Sequence, residues 1–215
     1  AEAPALVIGR DGDNVVMLEP ESAVPRTLGV ANLALQGGVW LARFSREPDR
    51  YLMLFTKSDN LGFLRELDHR GHTIVSWSIT CDTASREADK RTPTMAQRIA
   101  AMELVQKAGY PVRARLSPIV PVRNWREEYG ELFRLLLSRV KPDLITLELL
   151  GWMGLDDLGA IFEPSLLDPA AVEAARKEQD KLRDIHWGPF TQATHEEVYR
   201  FCIDAVQKLS PGTPV

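Results

Sequence analysis

Tyr51–Lys57 (YLMLFTK), His72–Thr80 (HTIVSWSIT), Val112–Pro118 (VRARLSP) and Asp143–Leu150 (DLITLELL) decide the fold, because helix-like runs separate them. A short connector lies around Leu61–Leu67, and longer helical patterns span Thr94–Ala108 and Trp125–Val140. Apolar, β-rich runs alternating with helical runs predict parallel βα units with right-handed crossovers. The expectation is an α/β protein, a partial parallel (β/α) barrel over residues 51–215. Residues 1–50 are expected to form an irregular N-terminal segment with short strands at Ala5–Ile8 and Asn14–Leu18, around a turn at Arg10–Asp13. The glycine-containing stretch 25–45 reads as a loop that leads to an apolar segment, Val39–Phe44.

The first two core runs turn polar at their C-terminal ends, where parallel α/β folds place their sites. In the first run, Lys57 and Ser58 are candidates for an anionic ligand group; the alternative is a solvated loop with Ser58 or Asp59 capping the next element. Period two puts Ile74, Ser76 and Ser78 on one face of the second run and Val75, Trp77 and Ile79 on the other. The small polar face points to a lumen, or else to hydrogen-bonded core serines. Cys81 reads as a buried or loop thiol, and Asp82–Arg91 as a charged loop or a lid offering Arg86, Glu87 or Arg91.

Thr94 and Gln97 have capping-box spacing, and Gly109 followed by Pro111 ends that helix. Arg113 and Arg115 share one face of the third run, opposite Val112, Ala114 and Leu116. An unpaired buried charge is costly, so the arginines need Glu148, Glu87 or a ligand as partner. Glu148 shares a face with Thr146 on the fourth run. Beyond it the pattern predicts a glycine-rich apolar loop (Gly151–Pro164), a helix (Pro169–Arg183), a linker (Asp184–Phe190) and a helix from Thr194 to Leu209, with Thr194 and Glu197 as its capping box.

Net charge of −4 argues against a surface that holds nucleic acid mainly by electrostatics, although a local basic groove survives such an average. The two cysteines, Cys81 and Cys202, build neither a disulfide scaffold nor a cysteine-only zinc site. No apolar run is long enough for a bilayer and no leader pattern is present, which makes the cytoplasm the default compartment.

The segments TKS (56–58), WSIT (77–80), QRIAAMELVQKAGYP (97–111), RARLSPIVP (113–121) and NWREEYGELF (124–133) together resemble the spore-photoproduct-lyase-like branch of the radical S-adenosylmethionine enzymes. The resemblance covers roughly Leu52 to Leu209 and is carried by the combination. It implies a radical-S-adenosylmethionine-type partial barrel whose lumen holds S-adenosylmethionine and a [4Fe-4S] cluster, with nucleic acid as the substrate of the name-giving member. It implies cofactor-binding roles for Lys57, Ser58, Ser78, Arg98 and Arg115. Ser117 departs from the acidic residue that many relatives carry before this proline.

The larger departure is the missing CxxxCxxC loop, whose three thiolates hold the cluster in such enzymes. Three expectations follow. The chain is a portion or subunit of a radical enzyme whose cluster segment lies elsewhere, or a cluster-less descendant serving binding or assembly. The third is unrelated hydrolase chemistry using Glu148 with His72 or His186. An open array of parallel strands also leaves an edge, which predicts a partner protein or self-association covering it.

Overall fold

The computed structural model describes residues 6–11, 14–18, 25–29, 45–46, 49–179 and 188–215. Four strands, β4 (Leu52–Thr56), β5 (Thr73–Ile79), β6 (Val112–Ile119) and β7 (Leu144–Leu149), form a parallel sheet in that order. The register pairs Phe55 with Ser76, Ser76 with Arg113, Ser78 with Arg115, and Arg115 with Thr146. Helices α2 (Met95–Lys107), α3 (Trp125–Arg139) and α6 (Gln192–Leu209) accompany the strands, as the alternation predicts for a partial (β/α) barrel. Before them, β1 (Leu6–Asp11), β2 (Asn14–Leu18) and β3 (Pro25–Gly29) form an antiparallel sheet.

The two faces of the parallel sheet differ in chemistry, and that difference decides which one is covered. Val75, Trp77, Ile79, Val112, Ala114, Leu116 and Ile145 are buried. They join one core with Ile99, Met102 and Val105 of α2, Tyr129, Leu132, Phe133 and Leu136 of α3, and Val198, Cys202 and Val206 of α6. Each large apolar side chain so buried contributes roughly 1.5–3 kcal/mol. The alternate positions carry Ser76, Ser78, Arg113, Arg115, Thr146 and Glu148, which gain nothing comparable from apolar contact. Helices therefore pack on the first face and leave the second as the lumen face of the partial barrel.

Several local expectations are corrected. Asp82–Ala88 is a helix, α1, rather than a charged loop. Its first turn is held from a distance: the Thr83 amide and hydroxyl donate to the Glu128 carboxylate at 3.0 and 2.7 Å. The glycine-rich stretch after β7 contains helix α4 (Leu155–Ile161), whose start is fixed by the Gly154 amide donating to Asp157. Pro25–Gly29 is a strand, paired along its length with β2. Helix α6 begins earlier than expected, because the Thr191 hydroxyl, not that of Thr194, is the cap and accepts from the Thr194 amide. Helix α5 spans Pro169–Lys177. The apolar segment Val39–Phe44 and His186 lie outside the described residues.

The chain itself meets part of the outer edge of β7. The Ile145 amide donates to the Pro214 carbonyl at 2.9 Å, and the Leu149 amide donates to the Tyr199 hydroxyl at 3.0 Å. Among the described residues no helix is long and apolar enough to cross a membrane.

At the strand ends, Tyr129 ties three elements together. Its buried hydroxyl accepts from the Val120 amide at 2.8 Å and shares a proton with Thr80 at 3.0 Å. Burial pushes its ionisation well above the ordinary tyrosine value, so it stays a neutral phenol. Tyr129→Phe removes the oxygen and leaves a buried amide unmet, which costs about 1–3 kcal/mol. Thermal unfolding should register a fall of several degrees, and an unchanged melting temperature would contradict this role.

Candidate functional site

The lumen face has a polar floor. Arg115, half-exposed on β6, donates from Nη2 to Glu148 Oε2 at 2.6 Å, and the Ser117 hydroxyl donates to the same oxygen at 2.8 Å. Among the described residues no hydrogen bond reaches Glu148 Oε1, so the carboxylate is fixed by one oxygen and offers the other. Burial raises the Glu148 pKa, but the bonds from Ser117 and Arg115 outweigh it and hold the carboxyl below its ordinary value. The Arg115 guanidinium lies 5.9 Å from the centre of the Phe55 ring. Arg113, lower on the same face, pairs with Asp143 at 3.2 Å.

Ser117 reaches Glu148 because it follows Arg115 by two residues on β6, as Glu148 follows Thr146, the register partner of Arg115, on β7. Ser78 lies beside Arg115 in register, half-buried at the end of β5. Its backbone is held from behind by Arg98. That guanidinium is 1% exposed and donates to the Ser78 carbonyl at 3.0 Å, the Pro93 carbonyl at 2.8 Å, Asp89 Oδ2 at 3.0 Å and the Thr92 hydroxyl. Lys57 Nζ binds the other oxygen of Asp89 at 2.6 Å. One carboxylate thus joins the end of β4, through Lys57, to the end of β5, through Arg98.

Ser58 occupies a tight turn: its amide donates to the Thr56 hydroxyl and its own hydroxyl accepts from the Asn60 amide. Its carbonyl accepts from Trp77 Nε1 at 2.9 Å. Of the five candidates, Ser78 and Arg115 are neighbours on the lumen face, Lys57 and Ser58 follow β4, and Arg98 stands behind β5 with its donors directed to protein acceptors. Asp89 was not singled out in the sequence, since nothing local distinguishes it among the charges of Asp82–Arg91. Phe55 shares a face with Lys57 by the period of two, so that signal was present.

The histidines offer no base beside Glu148 among the described residues. His72 is at the opposite end of β5, where Nδ1 contacts the Arg50 carbonyl and the ring stacks on Tyr51. The cysteines do not fit a [4Fe-4S] cluster. Cys81 precedes α1 and Cys202 lies within α6, both are buried, and burial pushes both thiols up to about 12. The described residues contain no group of three or more His, Cys, Asp and Glu placed to hold a metal.

A family model described as spore photoproduct lyase matches residues 27–152. The spore photoproduct lyase of Bacillus subtilis strain 168 is 32% identical over 102 residues, 46% of this chain and 30% of that protein. The lyase of Clostridium acetobutylicum is 27% identical over 79 residues, 37% of this chain and 24% of that protein. A substituted spore photoproduct lyase superposes with a TM-score of 0.69 at 19% identity, covering 87% of this chain and 56% of that one. Another, with bound AdoMet and dinucleoside spore photoproduct, gives 0.66 at 20% identity over the same shares. At these identities the solved structures speak to the fold, and the chain spans about half of their length.

Burial decides what the two cations on Asp89 are worth. Arg98→Met leaves two carbonyls and a largely buried carboxylate short of a donor, at a cost of about 3–5 kcal/mol. Lys57→Ala, from a side chain 36% exposed, costs about 1 kcal/mol or less. Urea unfolding of both variants should show that order; equal, small effects would contradict it. Glu148 contributes in a pH-dependent way. Its folded pKa is depressed, so its contribution is complete above the unfolded value of about 4.3 and lost as pH falls through the folded one. The stability gap between the wild type and Glu148→Gln should therefore narrow below about pH 4; a gap that widens there would contradict the assignment.

Proposed function

We propose, on the premise that the chain belongs to the spore photoproduct lyase family, that it is a barrel-derived binding subunit without a cluster of its own. Its lumen face takes the nucleoside part of S-adenosylmethionine. The observation that carries this reading is the Arg115–Ser117–Glu148 group, which presents an ionised carboxylate oxygen to the lumen beside a guanidinium. Glu148 Oε1 accepts from hydroxyl or amino donors of the ligand, and Ser78 adds a hydroxyl from the neighbouring strand. Phe55 supplies an apolar surface on the same face. Lys57 and Ser58, following β4, meet an anionic end of the ligand. Arg98 is a positioning residue, acting through the Ser78 carbonyl and Asp89.

Bound S-adenosylmethionine would supply the adenosyl group and its sulfonium. No radical step is assigned to this chain, because neither buried cysteine fits the cluster such a step requires. A second reading makes the chain a portion or subunit of a radical enzyme whose three thiolates come from another segment or a partner protein. It is supported by the family match over residues 27–152 together with a cysteine count of two, one short of the three thiolates such a cluster takes. In that reading the substrate is a nucleic acid lesion, by analogy with the dinucleoside spore photoproduct bound in a solved relative.

Calorimetry tests the binding. S-adenosylmethionine should bind the chain, and Arg115→Ala or Glu148→Ala should each weaken it about 10-fold, the loss of one charge-assisted hydrogen bond. Anaerobic iron and sulfide reconstitution of the lone chain should yield no stoichiometric cluster and no cleavage of S-adenosylmethionine. A cluster with cleavage by the lone chain would overturn the cluster-less assignment, and affinity unmoved by either substitution would overturn the binding face.

A further inference from the structure

The lumen face changes character one rung below Arg115. Parallel pairing aligns Phe55, Ser76, Arg113 and Leu144 across β4, β5, β6 and β7, and residues aligned in this way share a face. Two residues along a strand span roughly 6.6 Å, so this rung lies about that far toward the N-terminal ends from the one that holds Ser78, Arg115 and Thr146.

The flanks of the lower rung are apolar. Phe55 and Leu144 are both half-buried on it, and the register pair Met53 and Ile74 lies beneath Phe55 and Ser76 on the same face. Its centre is polar. Arg113 Nε donates to Asp143 Oδ2 at 3.2 Å. That single bond leaves the two terminal nitrogens of the guanidinium, and Asp143 Oδ1, with no hydrogen bond among the described residues. Between Phe55 and Arg113, Ser76 is only 3% exposed, and its hydroxyl likewise has no hydrogen-bond partner among the described residues. A hydroxyl buried to this degree ordinarily finds a partner, and on this face the lumen is the side from which one can come.

We propose that this rung is a second binding subsite, separate from the Glu148 group, for a free α-amino acid with an apolar side chain. A guanidinium fork beside a carboxylate is complementary to a zwitterion. The ligand carboxylate accepts from the terminal nitrogens of Arg113 and from the Ser76 hydroxyl, and the ligand ammonium donates to Asp143 Oδ1. The ligand side chain lies against Phe55, Leu144 and Met53. Asp143 repels a simple anion and Arg113 repels a simple cation, so a ligand that carries both charges is the one that suits the pair. The subsite shares only Phe55 with the groups assigned above to S-adenosylmethionine.

The test is a chemical-shift titration of the isotopically labelled full chain with L-leucine, L-leucinol and N-acetyl-L-leucine. L-Leucine should saturate with a dissociation constant of about 1 mM or tighter and shift Ser76, Arg113 and Asp143. Leucinol, which lacks the carboxylate, and N-acetyl-leucine, which lacks the ammonium, should each bind about 10-fold more weakly or worse, the loss of one charge-assisted contact. These comparisons need no variant, so they decide the matter even if a substitution disturbs folding. Arg113→Met and Asp143→Asn should also weaken leucine about 10-fold and Ser76→Ala about 5-fold, with S-adenosylmethionine affinity held within about twofold. The subsite is overturned if leucine shifts stay linear to about 50 mM, far above that constant, or if the two analogues bind as tightly as leucine. It is also overturned if S-adenosylmethionine displaces leucine and Arg113→Met weakens both alike, which would assign the rung to the methionyl end of the cofactor. Leucine binding with no cofactor binding sinks the proposed function alone, and cofactor binding with no leucine binding sinks this inference alone.

Discussion

The arrangement of the strand ends depends on one buried cation. Arg98 is a guanidinium with almost no access to water, so its hydrogen bonds must be made within the protein or not at all. It makes them to two carbonyls, a hydroxyl and a carboxylate drawn from β5, the end of α1 and the loop before α2. Because Asp89 also binds Lys57, the constraint passes on to the end of β4. The polar ends of two adjacent strands are thus fixed from the helical side, while Ser78 and Arg115 stand beside each other on the lumen side. A planar fork with several donors suits this task better than an ammonium would.

The lumen face was legible in the sequence because strand periodicity is strict. Ser76 and Ser78, Arg113 and Arg115, and Thr146 and Glu148 fall on one face by counting in twos, and the parallel pairing then sets Ser78 beside Arg115. The requirement that a charge on a central strand be paired named Glu148 as a partner for Arg115, and the structure makes that bond. The capping box at Thr94 and Gln97 was equally local and is present in both directions. What the face binds was not legible, because hydroxyls, a guanidinium and a carboxylate serve many ligands.

The elements that escaped are those held by distant residues. Helix α1 carries a dense run of charges that reads as a loop, and its first turn is satisfied by Glu128, 45 residues away. Thr191 and Thr194 are both plausible caps by composition; the earlier one wins because its hydroxyl accepts the amide of the other. Asp89 looks like one charge among many until the fold brings Lys57 and Arg98 to its two oxygens. In each case the deciding contact is tertiary, and no window of local sequence contains it.

Family membership and chemistry part company at the cysteines. The four-stranded parallel array and the polar lumen face follow the barrel architecture, while both thiols are buried and pushed up to about 12, poor material for thiolate ligation. The central claim is therefore that the lumen face, with Glu148 and Arg115 at its floor, is a ligand-binding surface in its own right. The most direct measurement is nuclear magnetic resonance mapping of the isotopically labelled chain during titration with S-adenosylmethionine. Shifts concentrated at Phe55, Ser78, Arg115, Ser117 and Glu148, with the outer surfaces of α3 and α6 silent, are predicted. Shifts confined to the helical layer, or none at saturating cofactor, would contradict the account.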